Sequence, residues 1–125
     1  MTGDELGRRL EEGTVAILDV RTRGEYEGSA GYPCDPRQGH IPGAVHIDWE
    51  DLFAGEGRPQ DRATVLALLE ARGVDPELEL VTYCHSGQRS SFAAAALRAA
   101  GLEVDNYEGS WHEWSRRDSA SESVG

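Results

Sequence analysis

Leu80-Val81-Thr82-Tyr83-Cys84-His85-Ser86-Gly87-Gln88-Arg89-Ser90-Ser91 is the stretch around which the chain is organised. An apolar, β-prone run ends at a cysteine, a polar turn with a glycine follows, and residues 92–100 are almost pure helix formers, stopped by Gly101. Strand, tight loop and helix in that order aim backbone N–H groups at one point. The helix N-terminus adds partial positive charge there. A cysteine so placed ionises more easily than a free thiol, whose pKa is about 8.5. Arg89 adds a formal charge at the loop's far end. The stretch therefore reads as a thiolate nucleophile, Cys84, over an anion cradle built from His85, Ser86, Gly87, Gln88 and Arg89. A buried, inert cysteine is the bland alternative. The polar glycine turn and the arginine set it aside.

Outward from this loop, the pattern alternates. Leu6 and Leu10 fall one helical turn apart within residues 2–12, before Gly13. Residues 14–20 form a nearly continuous apolar run, which suits a strand buried on both faces of a parallel sheet. Residues 23–28 read as a helical turn and 28–40 as loop. Ile41-Pro42-Gly43-Ala44 fits a turn, with a short strand over 44–47 after it. A helical turn is expected at 48–53 and a loop at 55–60. Asp61 caps a helix over 62–72, and a strand at 78–83 delivers Cys84. The helix after the loop is expected over 90–100, its small residues allowing close approach to the sheet. A strand over 102–107 follows, and Ser110 is expected to cap Trp111-His112-Glu113-Trp114. Residues 116–125 are polar and serine-rich, a tail expected to fray after a single domain over 1–115.

Strand–helix alternation gives a three-layer α/β/α fold with a central parallel sheet. Such sheets place their sites at the carboxyl ends of strands, where Cys84 stands.

Asp19 is a carboxylate at the end of a buried strand and needs partners. Arg21, two positions on, is one candidate, and a structural ion pair is the favoured reading. His40 and His46 have no second ligand at close spacing, so no metal is expected and His40 is read as fixing its turn. Cys34, between Pro33 and Asp35, is read as a loop cysteine without a role; a resolving partner for Cys84 is the alternative.

Twelve basic against twenty-three acidic residues give a net charge of −11, which argues against nucleic acid or an anionic membrane as partner. No apolar run approaches the roughly 18 residues of a membrane span. The opening Met1-Thr2-Gly3-Asp4-Glu5 has no signal-peptide character. Two cysteines fifty positions apart make no disulfide framework. A reducing, cytoplasmic setting is the expectation.

Cys84-x-x-Gly87-x-Arg89-Ser90 resembles the active-site loop of the rhodanese (sulfurtransferase) family. Leu18-Asp19-Val20-Arg21, Gly39-His40-Ile41-Pro42-Gly43-Ala44 and Tyr107-Glu108-Gly109-Ser110-Trp111-His112-Glu113-Trp114 resemble that family's other signatures, in the same order. The resemblance covers residues 15–115 and implies about five parallel strands, a persulfide on Cys84, and a supporting role for Asp19 and Arg21. It implies a small anionic sulfur donor such as thiosulfate, a cyanide or thiol acceptor, and no cofactor. A persulfide carrier working with a sulfur-relay protein and a regulatory binding module are the alternatives.

The pattern departs from the family in places. Two-domain thiosulfate enzymes carry two basic residues after the cysteine, where this chain has His85 and Ser86. Ser86 and Gly87 match the mercaptopyruvate-specific loop, but Gln88 and Arg89 do not. Some members use an arginine where Glu25 stands here. A cysteine phosphatase is the weaker enzyme alternative. Its loop to the arginine is one residue longer than the four between Cys84 and Arg89.

Overall fold

The computed structural model describes residues 1–117. In chain order the elements are α1 (Gly3–Glu12), β1 (Val15–Asp19), α2 (Arg23–Glu27), β2 (Val45–His46), a 3-10 turn (Trp49–Leu52), β3 (Phe53–Gly55), β4 (Arg58–Pro59), α3 (Arg62–Ala71), β5 (Glu79–Tyr83), α4 (Gln88–Ala99), β6 (Val104–Asn106) and α5 (Ser110–Trp114).

The central sheet has the order β2-β1-β5-β6, with every neighbouring pair parallel. β1 and β5 form its spine, in register from Val15↔Glu79 to Asp19↔Tyr83. The sheet has four strands rather than the expected five. The expected loop at 55–60 instead belongs to a separate antiparallel hairpin, β3 with β4. That hairpin follows the 3-10 turn and leaves the main sheet without an added strand.

Side-chain alternation along the strands builds the layers. Leu18, Val20, Leu80 and Cys84 face one core with Val65 and Leu69 of α3 and Ala93, Ala96 and Leu97 of α4. Val15, Ile17, Val81 and Tyr83 face the other, with Leu6 of α1 and Trp111 and Trp114 of α5. A buried strand with both faces covered explains why residues 14–20 lack a polar–apolar alternation. Ala93, Ala94 and Ala96 of α4 are buried against the sheet, while Ala95 and Ala99 on its outer side are exposed. The small side chains let that helix lie against β5 and hold its N-terminus over the strand's end.

Element starts follow local chemistry. Thr2 caps α1 and Asp61 caps α3 through their side chains. Thr22 and Glu25 form a capping box on α2. Arg116 and Arg117, the first residues of the expected tail, are anchored by ion pairs to Asp35 and Asp4. Residues 118–125 of that tail lie outside the described residues.

Candidate active site

Cys84 follows β5 directly, and the same side-chain parity that turns Leu80 to the α4 face turns Cys84 there. The residue is 1% exposed. Its backbone is fixed from two directions: its N–H donates to the Ser110 hydroxyl (3.1 Å), and its carbonyl accepts from Trp111 N–H (2.9 Å). Ser110 in turn donates its hydroxyl to the Tyr107 carbonyl (2.8 Å). Ser110 therefore does not cap α5 as expected. Among the described residues it is the one non-glycine with positive φ, at 53°. That conformation aims its hydroxyl back at the cysteine instead of forward along the helix.

Gly87 makes the turn. Its φ is 95°, in the left-handed region, and a Cβ there would come within 2.8 Å of the Glu108 carbonyl oxygen. The turn ends two residues earlier than the sequence suggests, because Gly87 itself is the N-cap of α4. Gln88 and Arg89, expected in the loop, form the helix's first turn. Gln88 and Ser86 are exposed.

This geometry focuses donors on sulfur. The Gly87 N–H lies 3.1 Å from Cys84 Sγ and the Ser90 hydroxyl 3.4 Å. Burial pushes the thiol pKa up, but the Ser90 hydroxyl and the N–H groups of Ser90, Gly87 and Ser86 outweigh it and hold the thiol below its ordinary value. Ser90, which sequence reasoning left out of the site, is its main side-chain donor. Only the helix start at Gln88 brings it beneath the sulfur. Thr82 holds this turn from the strand, donating its hydroxyl to the Ser90 carbonyl (3.0 Å).

Arg89 does not present a free cation. Its two terminal nitrogens meet the two carboxylate oxygens of Glu25, at 2.9 and 3.1 Å. Glu25 thus neutralises the charge of Arg89. The Glu25 contacts raise the Arg89 pKa above its ordinary value despite desolvation.

Asp19 and Arg21 form a buried support. Arg21 Nη2 lies 2.6 Å from Asp19 Oδ2, and the same nitrogen donates to the Gly39 carbonyl (2.6 Å). The Tyr83 hydroxyl donates to Asp19 (2.6 Å) and accepts from Ile41 N–H (3.1 Å). Burial, then Asp19, push the Tyr83 pKa well above its ordinary value. The Arg21 guanidinium lies against the rings of Tyr83 and Trp111. The pair therefore ties the ends of β1 and β5 to the Gly39–Ile41 turn and to α5. His40 Nδ1 donates to the Tyr26 carbonyl (2.8 Å), joining that turn to α2.

His85 points to a partner the sequence did not suggest. Its Nε2 lies 3.0 Å from Asp35 Oδ2, in the loop of residues 28–40. Arg116 holds the other Asp35 oxygen at 2.8 Å. Desolvation lowers the His85 pKa, against the pull of Asp35. Cys34 is exposed in the same loop. A groove of about 650 Å³ between Trp49, Phe53 and Phe92 lies to one side of α4, and none of residues 84–89 lines it.

The rhodanese-like domain model matches residues 2–117, and the chain belongs to that family. It is 32% identical over 114 residues to the thiosulfate sulfurtransferase of Pseudomonas aeruginosa, covering 90% of this chain and 41% of that protein. It is 35% identical to the sulfur carrier protein TtuD of Thermus thermophilus, covering 85% of this chain and 40% of the relative. A solved structure of a probable thiosulfate sulfurtransferase superposes with a TM-score of 0.70 at 39% identity, covering 93% of this chain and 44% of that one. An anaerobic ergothioneine biosynthesis enzyme from Chlorobium limicola, solved with trimethyl histidine, superposes with a TM-score of 0.85 at 25% identity. It covers 100% of this chain and 32% of the enzyme's. The chain thus spans about two fifths of the length of the curated relatives it matches. Among the described residues no helix is long and apolar enough to cross a membrane.

Proposed function

We propose that the protein transfers sulfane sulfur through a persulfide on Cys84. The observation that carries this reading is a buried thiol at the N-terminus of α4, with the Gly87 N–H and Ser90 hydroxyl directed at Sγ. Family membership and relatives named thiosulfate sulfurtransferase support it.

In the first step, the Cys84 thiolate attacks the outer sulfur of thiosulfate. The new S–S bond forms as the bond to the sulfonate sulfur breaks, and sulfite leaves with the electron pair. In the second step, cyanide or a thiolate attacks the outer persulfide sulfur. Thiocyanate or a new persulfide departs and the Cys84 thiolate returns. The N–H and hydroxyl donors stabilise the negative sulfur in both resting forms, as expected of covalent catalysis with a lowered thiol pKa. Gly87 and Ser90 act as donors, and Ser86, His85 and Gln88 frame the opening. Asp19 and Arg21 position the strand ends and touch no reacting atom.

Two features weigh against a cysteine phosphatase. The loop from Cys84 to Arg89 is one residue short, and Arg89 is engaged by Glu25. A second reading, a persulfide carrier loaded by a protein partner in the cytoplasm, is favoured by one observation. With Arg89 paired to Glu25, the loop offers no unpaired formal cation to a small anionic donor.

Thiocyanate formation from cyanide, with thiosulfate and separately with 3-mercaptopyruvate, tests the main reading in parent and Cys84→Ser. Activity with thiosulfate that vanishes in Cys84→Ser is expected. Turnover surviving in Cys84→Ser overturns the mechanism. No turnover with either donor, with Cys84 still alkylating readily, moves the assignment to the carrier.

A further inference from the structure

We propose that Asp35, His85 and His112 form a three-ligand site for a divalent transition metal of the zinc type, at the rim of the Cys84 loop. The site uses neither cysteine and so stands apart from sulfur transfer. One ligand atom from each residue lies within 4.8 Å of the other two. Asp35 Oδ2 and His85 Nε2 are 3.0 Å apart. Zinc bonds nitrogen and oxygen at about 2.0–2.2 Å, which in a tetrahedral site puts ligand atoms about 3.3 Å from one another. The Asp35–His85 pair is near that spacing already. His112 is exposed, and metal binding requires its side chain to turn toward the other two ligands.

The backbone under these side chains is fixed. His112 N–H donates to the His85 carbonyl at 2.9 Å, so α5 and the Cys84 loop hold the two imidazoles side by side. Their rings are 5.6 Å apart between centroids. The Asp35 carboxylate is fully buried, which leaves it dependent on its partners. Arg116 Nη1 takes its Oδ1 at 2.8 Å and also donates to the His112 carbonyl at 2.7 Å. One arginine thus orients the carboxylate and the backbone of a second ligand, the outer-shell support that metal-binding carboxylates use. Oδ2 remains directed at His85. Two imidazoles and one carboxylate suit zinc, cobalt or nickel, with a further position open to water. The ligands stand at positions 35, 85 and 112, so no short-range spacing announces them.

The test uses the full chain, without an affinity tag, carrying Cys34→Ser and Cys84→Ser so that no thiolate competes. Titration with Co²⁺, followed by visible absorption, is expected to saturate at a single equivalent, and Zn²⁺ to displace it. Adding His112→Ala, an exposed position, is expected to weaken binding at least about tenfold. Asp35→Asn is expected to do the same, and if it does not fold, His112→Ala decides alone. No saturable binding in the thiol-free protein, or binding undiminished by His112→Ala, overturns the proposal.

Discussion

Arg89 and Glu25 face each other through two parallel N–H···O contacts of 2.9 and 3.1 Å, and this pairing sets the electrostatics of the Cys84 loop. The loop's arginine is spent on α2. Negative charge on sulfur is met instead by backbone N–H groups and the Ser90 hydroxyl. In a chain of net charge −11, this leaves little long-range attraction for a small anion.

Glu25→Gln is expected to release that cation. Glutamine keeps the capping box on α2, since its amide oxygen accepts from the Thr22 N–H as the carboxylate does. KM for thiosulfate should fall several-fold with kcat nearly unchanged, measured by initial rates of thiocyanate formation. An unchanged KM places the donor away from Arg89.

The same pair makes a pH prediction. Burial pushes the Glu25 pKa up, but the Arg89 hydrogen bonds and charge outweigh it and leave the carboxyl below its ordinary value. A depressed carboxylate contributes stability above its unfolded pKa, about 4.3, and that contribution is lost as pH falls through the folded value. Parent Tm should therefore drop more steeply below about pH 4.3 than that of Glu25→Gln. Parallel Tm profiles contradict this coupling.

Ser90→Ala removes the side-chain donor to Sγ while the backbone donors stay. The thiol pKa should rise, so the pH profile for alkylation of Cys84 by iodoacetamide, in chelator-treated buffer, shifts upward. At neutral pH the rate should fall several-fold. A profile that does not move would assign the thiolate's stabilisation to the backbone alone.

Gly87→Ala puts a Cβ against the Glu108 carbonyl oxygen and an L-residue at a φ of 95°. The expected cost is roughly 1–3 kcal/mol, read by urea unfolding. Alkylation should slow as well, because the Gly87 N–H is one of the contacts on Sγ. A variant as stable and as reactive as the parent would contradict the geometry.

Mild oxidation followed by non-reducing peptide mapping is expected to give no Cys34–Cys84 link. Cys34 is exposed and Cys84 is buried against the α4 side of the sheet. Recovery of that link would give Cys34 a resolving role.

What depends on neighbours along the chain was legible in the residues alone. The apolar run into Cys84, the glycine at 87 and the alanine-rich helix specify strand, turn and helix through backbone preference. The buried run at 14–20 specifies a covered parallel strand. Asp19 and Arg21 meet because they are two positions apart: Arg21 lies in the bend just past β1, where its backbone N–H and its guanidinium both reach the Asp19 carboxylate. Tertiary structure decided whatever joins distant segments. The start of α4 at Gln88 depends on Gly87 packing against the Glu108 backbone. Ser110 became a brace for Cys84 rather than a helix cap because α5 docks on the loop. Arg89, which local reading gives to a substrate anion, is claimed by Glu25, sixty-four positions earlier. Local sequence fixes dihedral preferences within a few residues, but charge pairs and hydrogen bonds between segments exist only once the sheet has ordered its strands.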